Sequence, residues 1–425
     1  MIGAPPLDEA AAVWFVVLAF GTALVAWRRP ALAVGILVLT DPFALTRYVG
    51  HTTLTSFKAA LVGALIGLAC RGALGWPRER IAATTLALLA LLVLATAATI
   101  PQAALREPSL RETFKALEYA LAFVVAWWSA RGQADASRWV GIACGAAIVL
   151  VSLGAARDYF QPQSALAAHG AAIVRFAGAL EGPNQLAAWL GIALPAAVVG
   201  ITSWPAALIV VALGSAAAIL TLSRGGIAQT ALALAVAVRV SAASRWRMLA
   251  AAAFAAALAL GGLVVATRSS VALDRLSSVA QSVDAGGTGS RAILWPAALA
   301  MARAHPLLGV GAGNFEFLLP QYGAPARVRT QANSLYLEAL ADGGGVLLIA
   351  TVLAALVPPL LLLRARGAPF AFAVGFAGLA LAAHGLIDDV TFYTKVGQLW
   401  WVLAGVAAAS AGGSSSSPSA TPGTK

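Results

Sequence analysis

Thirteen runs of mostly apolar residues, joined mainly by short polar connections, constrain this chain more than any other feature. They lie at 11–27, 31–45, 57–70, 81–100, 116–130, 139–156, 185–200, 204–222, 227–240, 248–266, 344–363, 369–387 and 396–410. A helix needs roughly 20 apolar residues to cross a hydrocarbon core, and most of these runs come close. Lipid offers no partner for an unpaired N–H or C=O, so each crossing must satisfy its own backbone, which forces helices. With 60% hydrophobic and 11% charged residues, a water-soluble domain is excluded. The expected fold is an all-α, polytopic membrane helix bundle of about 12 transmembrane helices. The first two runs are short, which leaves room for one re-entrant segment.

The formal net charge of +11 would suit a nucleic-acid binder, but its placement argues otherwise. Five short loops, at 28–29, 71–80, 131–138, 239–247 and 364–366, hold twelve arginines against two acids, Glu79 and Asp135. That bias marks them as cytoplasmic. The connections at 101–115, 157–183, 221–226, 268–342 and 388–395 then face outward. Thirteen crossings would put the N-terminus outside, whereas twelve would leave both termini in the cytoplasm. Asp8 and Glu9 stand where a signal peptide would have a basic flank, so the first run is expected to be a retained span. Cys70 and Cys144 fall in apolar runs and suggest neither a disulfide nor a metal site.

The chain divides into transmembrane helices over 1–266, a long outward loop over 267–342, C-terminal transmembrane helices over 343–410, and a Ser/Gly-rich tail over 411–425 expected to be disordered. Between 268 and 342 the loop carries six arginines against five acids. Arginines near membrane depth are costly and usually functional. Arg175, Arg224 and Arg291 stand out, because guanidinium suits bidentate phosphate recognition better than ammonium does. Snorkelling or helix capping is the better account of Arg157 and Arg268. It fits Arg224 less well, since a six-residue turn at 221–226 gives the side chain little room to reach bulk water.

Other motifs are read more plainly. Gly309, Gly311 and Gly313 form GxGxG, yet no strand precedes them, so a turn following an interfacial helix over 292–304 explains them better than a dinucleotide site. His305, followed by Pro306, marks the end of that helix. Asp388 and Asp389, if helical, point about 100° apart and cannot form a paired dyad; one suits orienting an arginine, and helix capping is the alternative. His384 shares a helix face with Asp388.

Six pieces occur in order: RFAGALEGPNQLAAWL (175–190), LTLSRGG (220–226), GSRAILWPAAL (289–299), HPLLGVGAGNF (305–315), NSLYLEALADGG (333–344) and HGLIDD (384–389). Together they resemble the bacterial O-antigen ligase and polymerase superfamily. The resemblance covers 175–390, and the N-terminal half matches only as membrane spans. It implies a metal-independent, cofactor-free glycosyltransferase in the inner membrane of a Gram-negative bacterium, with its active site facing the periplasm. The implied donor is O-antigen on undecaprenyl pyrophosphate, and the implied acceptor is the lipid A–core oligosaccharide. An O-antigen polymerase or protein O-oligosaccharyltransferase is the alternative within the superfamily. A lipid-linked glycan transporter is the alternative of another class, although the chain shows none of the internal repeats that transporters tend to carry.

The family's arginines map onto Arg224 and Arg291, with Arg175 as a further candidate, and their implied role is to hold the donor pyrophosphate. Asp389 is a further catalytic candidate, and Asn333, Tyr336 and His384 are expected to line the site, with Tyr336 serving equally as an interface anchor. The family's general-base histidine precedes the Asn of NSLYLE, and this chain has Ala332 there. A methyl cannot accept a proton. Three readings are open: an inactivated copy, a base moved to His384, Asp389 or Glu338, or a naturally impaired member. The intact neighbours favour the first.

Overall fold

The computed structural model describes residues 6–49, 52–160, 176–241, 289–326, 328–365 and 367–413, with a few more between 247 and 256. Arg175, Arg268, the start of the long loop and residues 414–425 lie outside them. The described chain is predominantly helical. In order it forms α1 (Glu9–Arg28), α2 (Pro30–Thr40), α3 (Ser56–Cys70), α4 (Arg80–Ala97), α5 (Arg106–Ala130), α6 (Ala136–Phe160) and α7 (Pro183–Gly200). There follow α8 (Trp204–Leu220), α9 (Arg224–Val240), α10 (Gly289–Ala304), a short α11 (Phe315–Leu318), α12 (Leu335–Leu363), α13 (Pro369–His384) and α14 (Thr394–Gly413).

Among the described residues, four helices are long and apolar enough to cross a membrane: α1, α4, α6 and α12. Four shorter apolar helices, α2, α3, α8 and α13, accompany them. The expectation of about 12 full spans is thus met only in its coarser form, a multi-pass helical membrane protein. Helix α2 shows one reason. Its 11 residues reach only about 16 Å at 1.5 Å per residue, and most of them are buried against other helices rather than facing lipid.

The all-α expectation needs one correction. Residues Thr46–Val49 (β1) and Thr52–Thr55 (β2) pair antiparallel, with Thr46 opposite Thr55 and Val49 opposite Thr52. The run TRYV…TTLT is rich in β-branched residues and too polar for a crossing, so it pleats. It also ties down the start of the bundle: the Leu7 N–H donates to the Tyr48 carbonyl at 3.2 Å, and Arg47 pairs with Asp8 at 3.1 Å. Thr55 then caps α3, accepting from the Lys58 N–H. At the other end, α14 continues to Gly413.

Hydrophobicity cannot drive helix against helix in lipid, so close packing of small residues must. Gly63 and Gly67 form a GxxxG face on α3 and lie directly on the Ala19 and Ala23 carbonyls of α1, where a Cβ would overlap them. Gly405 of α14 sits in the same way on the Phe123 carbonyl of α5.

The bundle has two chemically distinct ends. At one, Arg71 donates to the Trp27 carbonyl at 2.8 Å, Arg131 pairs with Glu79 at 3.4 Å, and the Trp128 indole donates to Gly75. These are the arginine-rich loops. The polar motifs of the C-terminal half gather at the other end.

Gly67→Leu should therefore lower thermal stability in detergent by about 1–3 kcal/mol, the usual cost of overpacking. Lipid-facing Val62→Leu should leave the melting midpoint in place. Equal midpoints for both variants would show that this contact does not hold the helices.

Candidate functional site

The glycine-rich segment after α10 is a clasp. Helix α10 ends at Ala304, and the Gly309 N–H closes a turn onto the His305 carbonyl at 3.0 Å. Gly309, Gly311 and Gly313 all have positive φ (62°, 106° and 71°), which side-chain-bearing residues rarely adopt. The segment docks into a break in α12, where Gly344 leaves helical geometry at φ 58°, ψ −157°. The Gly345 N–H reaches back to the Pro306 carbonyl at 2.8 Å, and Val310 and Gly311 donate to the Ala341 and Asp342 carbonyls. The Asp342 carboxylate closes the clasp, accepting from the Gly313 N–H at 2.6 Å and the Phe315 N–H at 2.9 Å. Asn314, fully buried, ties the same loop to α5 by exchanging hydrogen bonds with the Leu105 backbone.

Upstream of the break, the NSLYLE motif forms the first turns of α12. Ser334 caps it, accepting from the Leu337 N–H, and Asn333 takes a left-handed φ of 52°. Glu338 folds back to accept the Ala332 N–H at 2.6 Å, while the Trp295 indole donates to the Ala332 carbonyl at 3.1 Å. Ala332 is 0% exposed and belongs to an apolar cluster with Leu294, Ala297 and Met301. The position that the resemblance gives to a base is thus, in this chain, a buried backbone clasp. Tyr336 does not reach Ala332 with its polar end; its hydroxyl donates to the Ala382 carbonyl of α13 at 2.8 Å. The Leu335 N–H donates to the Gly385 carbonyl at 2.9 Å. These two bonds set the NSLYLE helix beside HGLIDD.

Around HGLIDD the structure brings the two described arginines together. Arg224 is the first residue of α9, after Ser223, whose hydroxyl accepts from the Gly226 N–H. Arg291 lies in the first turn of α10 and donates to the Ile387 carbonyl. Its Nε is buried and makes no hydrogen bond. Burial pulls the Arg291 guanidinium down from its usual value, nearby Asp388 opposes that, and Arg224 adds to it, so these three charges share one neighbourhood. Asn184, in the first turn of α7, donates to Asp388 at 2.6 Å.

His384 completes the group. Its Nδ1 lies 2.7 Å from the Gln229 Oε1. Its Nε2 edge faces Gly225, where a Cβ would come within 2.7 Å of that nitrogen. Glycine at 225 is what gives the ring its place. Sequence reasoning passed over Gln229, which lies five residues after Arg224 in an apolar run and carries no motif signal.

Asp389 points elsewhere. It lines a separate cavity of about 170 Å³ with Glu112, Lys115, Tyr119, Glu338 and Asp342. Arg224, Arg291 and His384 do not line it. Burial raises the Asp389 carboxyl to about 6 against the lowering influence of Lys115, and its Oδ1 accepts from the Thr391 N–H and hydroxyl at 3.1 and 2.9 Å. Glu112 and Lys115 pair at 2.5 Å and lie in a stretch the sequence presents only as an outward connection. Among the described residues no cluster of His, Cys, Asp or Glu is placed to hold a metal ion.

Residues 208–352 match the family model described as O-antigen ligase. The match begins in α8, includes Arg224, Arg291, Ala332, Asn333 and Tyr336, and ends within α12 before His384 and Asp389. No curated protein matches the chain.

Removing the Asp342 carboxylate leaves two buried N–H groups without an acceptor. Asp342→Ala should cost roughly 2–4 kcal/mol, seen as a lower melting midpoint and faster proteolysis near residues 305–315. An unchanged digestion pattern would remove the clasp from the account.

Proposed function

We propose that this chain, whose residues 208–352 match the O-antigen ligase family model, is an O-antigen ligase. It moves O-antigen polysaccharide from undecaprenyl pyrophosphate to the lipid A–core oligosaccharide. The carrying observation is that Arg224 and Arg291 both occupy first turns of helices, near each other, with the Arg291 Nε buried and unbonded. A helix N-terminus already favours an anion. Two guanidiniums there repel each other and the helix dipoles, and Asp388 is the carboxylate set among them. A pyrophosphate relieves that imbalance.

The chemistry follows. The acceptor hydroxyl oxygen bonds to the anomeric carbon while the bond from that carbon to the pyrophosphate oxygen breaks. The electron pair leaves with the pyrophosphate, and Arg224 and Arg291 stabilise the charge that develops there. Arg175 is a further candidate for the same role, although it lies outside the described residues. The hydroxyl proton passes to a base. Of the candidates, Glu338 already accepts the Ala332 N–H and Asp389 is turned to the other cavity. His384 stands in the arginine group with Nε2 unbonded among the described residues, so we assign the proton to it. Asn333 and Tyr336 position this end of α12, and Asp389 shapes the neighbouring cavity. The arginine-rich loops at the opposite end of the bundle support a periplasmic site in the inner membrane.

Purified protein in detergent, given lipid-linked polymer and lipid A–core, should transfer without any ion gradient; no transfer would favour a transporter. Arg291→Lys and Arg224→Lys should each lower kcat about 100-fold, because ammonium cannot reproduce the bidentate contact. His384→Asn should lower it about 100-fold or more. Ala332→His decides the rival reading. Increased transfer would place the base at 332, whereas unchanged or reduced transfer is expected from its buried apolar setting. Lipopolysaccharide from a deletion strain should lack all polymer on core; a single repeat on core would indicate a polymerase instead.

A further inference from the structure

Gln229 makes two hydrogen bonds that together dictate the state of His384. Its side chain is 3% exposed, deep between α7, α9 and α13. Its Nε2 donates to the Ala188 carbonyl of α7 at 3.1 Å. A carbonyl only accepts, so the amide nitrogen must face Ala188 and the amide oxygen must face the imidazole. That oxygen lies 2.7 Å from the His384 Nδ1. An oxygen acceptor requires a donor opposite, so Nδ1 carries the proton. In neutral imidazole Nε2 then holds the lone pair. Two glycines make the arrangement possible. A Cβ at Gly191 would come within 2.6 Å of the Gln229 Nε2, and one at Gly225 within 2.7 Å of the His384 Nε2.

We infer that Gln229 is a positioning residue that locks His384 in its Nδ1–H tautomer and so presents Nε2 as a proton acceptor beside the two arginines. This rests on the reading of His384 as the base. Gln229 acts through His384, since its amide is spent on the Ala188 carbonyl and the imidazole. The charged group acting on the ring is Arg291 from α10, flanked by Arg224 from α9 and Asp388 from the following turn. An imidazole left free to choose would also populate the Nε2–H form, which has no lone pair on the edge that faces Gly225. The amide therefore contributes by excluding that form.

The tautomer can be read without any activity. The chain has four histidines, so ¹⁵N-histidine spectra of the full-length protein in detergent are tractable, with His384 assigned by its loss in His384→Asn. The expected result is a pyrrole-type Nδ1 and a pyridine-type Nε2. Gln229→Met keeps the volume but removes both hydrogen bonds; it should mix the tautomers and lower kcat about tenfold, with the KM for the lipid-linked donor unchanged. Gln229→Glu keeps an acceptor opposite Nδ1. It should hold the tautomer and move the acidic limb of the rate profile to higher pH, because a carboxylate favours the imidazolium. An Nε2–H form in the unmodified protein, or an unchanged tautomer in Gln229→Met, would overturn the inference. If His384→Asn transfers normally while the tautomer still depends on Gln229, the assignment of the base is what fails.

Discussion

The Asp342 carboxylate joins two pieces of chain that the bilayer alone would leave apart. One is the segment after α10, the other a helix long and apolar enough to cross a membrane. Two hydrogen bonds, from the Gly313 and Phe315 N–H groups to the Asp342 carboxyl, hold the first against the second. The break at Gly344 supplies the space, since a Cβ there would overlap the Leu307 carbonyl. This clasp anchors the segment that follows α10, the helix that carries Arg291 in its first turn. The NSLYLE turns just upstream are in turn bonded to α13 through Leu335 and Tyr336. The arrangement around HGLIDD thus depends on contacts one helix away from it.

Much of this was legible in the sequence because the bilayer leaves few choices. Apolar runs announced helices, and the arginine-rich loops separated the two ends. GxGxG read correctly as a turn, since glycines without a preceding strand have little other use. The number of crossings was not legible. An 11-residue helix such as α2 is apolar enough to be counted, but whether it crosses depends on what buries it. The hairpin at 46–55 was missed because its strands are short and its ties, to residues 6–8, to α1 and to the start of α3, are set by packing rather than by a sequence pattern. Among the site residues, Arg224 and Arg291 stood out because charge at membrane depth is conspicuous. Gln229 did not, because a neutral amide in an apolar run acquires meaning only when Ala188 and His384 are placed on either side of it.

Ala332 is a position where motif and geometry carry different information. The resemblance sets a base at that position, and its intact neighbours suggest a site with one part removed. In three dimensions the residue faces an apolar cluster, and both its backbone groups are engaged by Trp295 and Glu338. Proton acceptance and phosphate binding are local matters of direction and charge. A motif records which residue types recur without recording where their side chains point.

Gly225 carries a consequence for the lineage of this chain. Its missing side chain and the His384 ring occupy adjoining space, so neither position can drift alone. A descendant that placed even a methyl at 225 would have to shift or discard the imidazole, and one that lost the imidazole would leave 225 facing only the end of the Ile387 side chain. The two sites, 159 residues apart in the chain, should be inherited as one character.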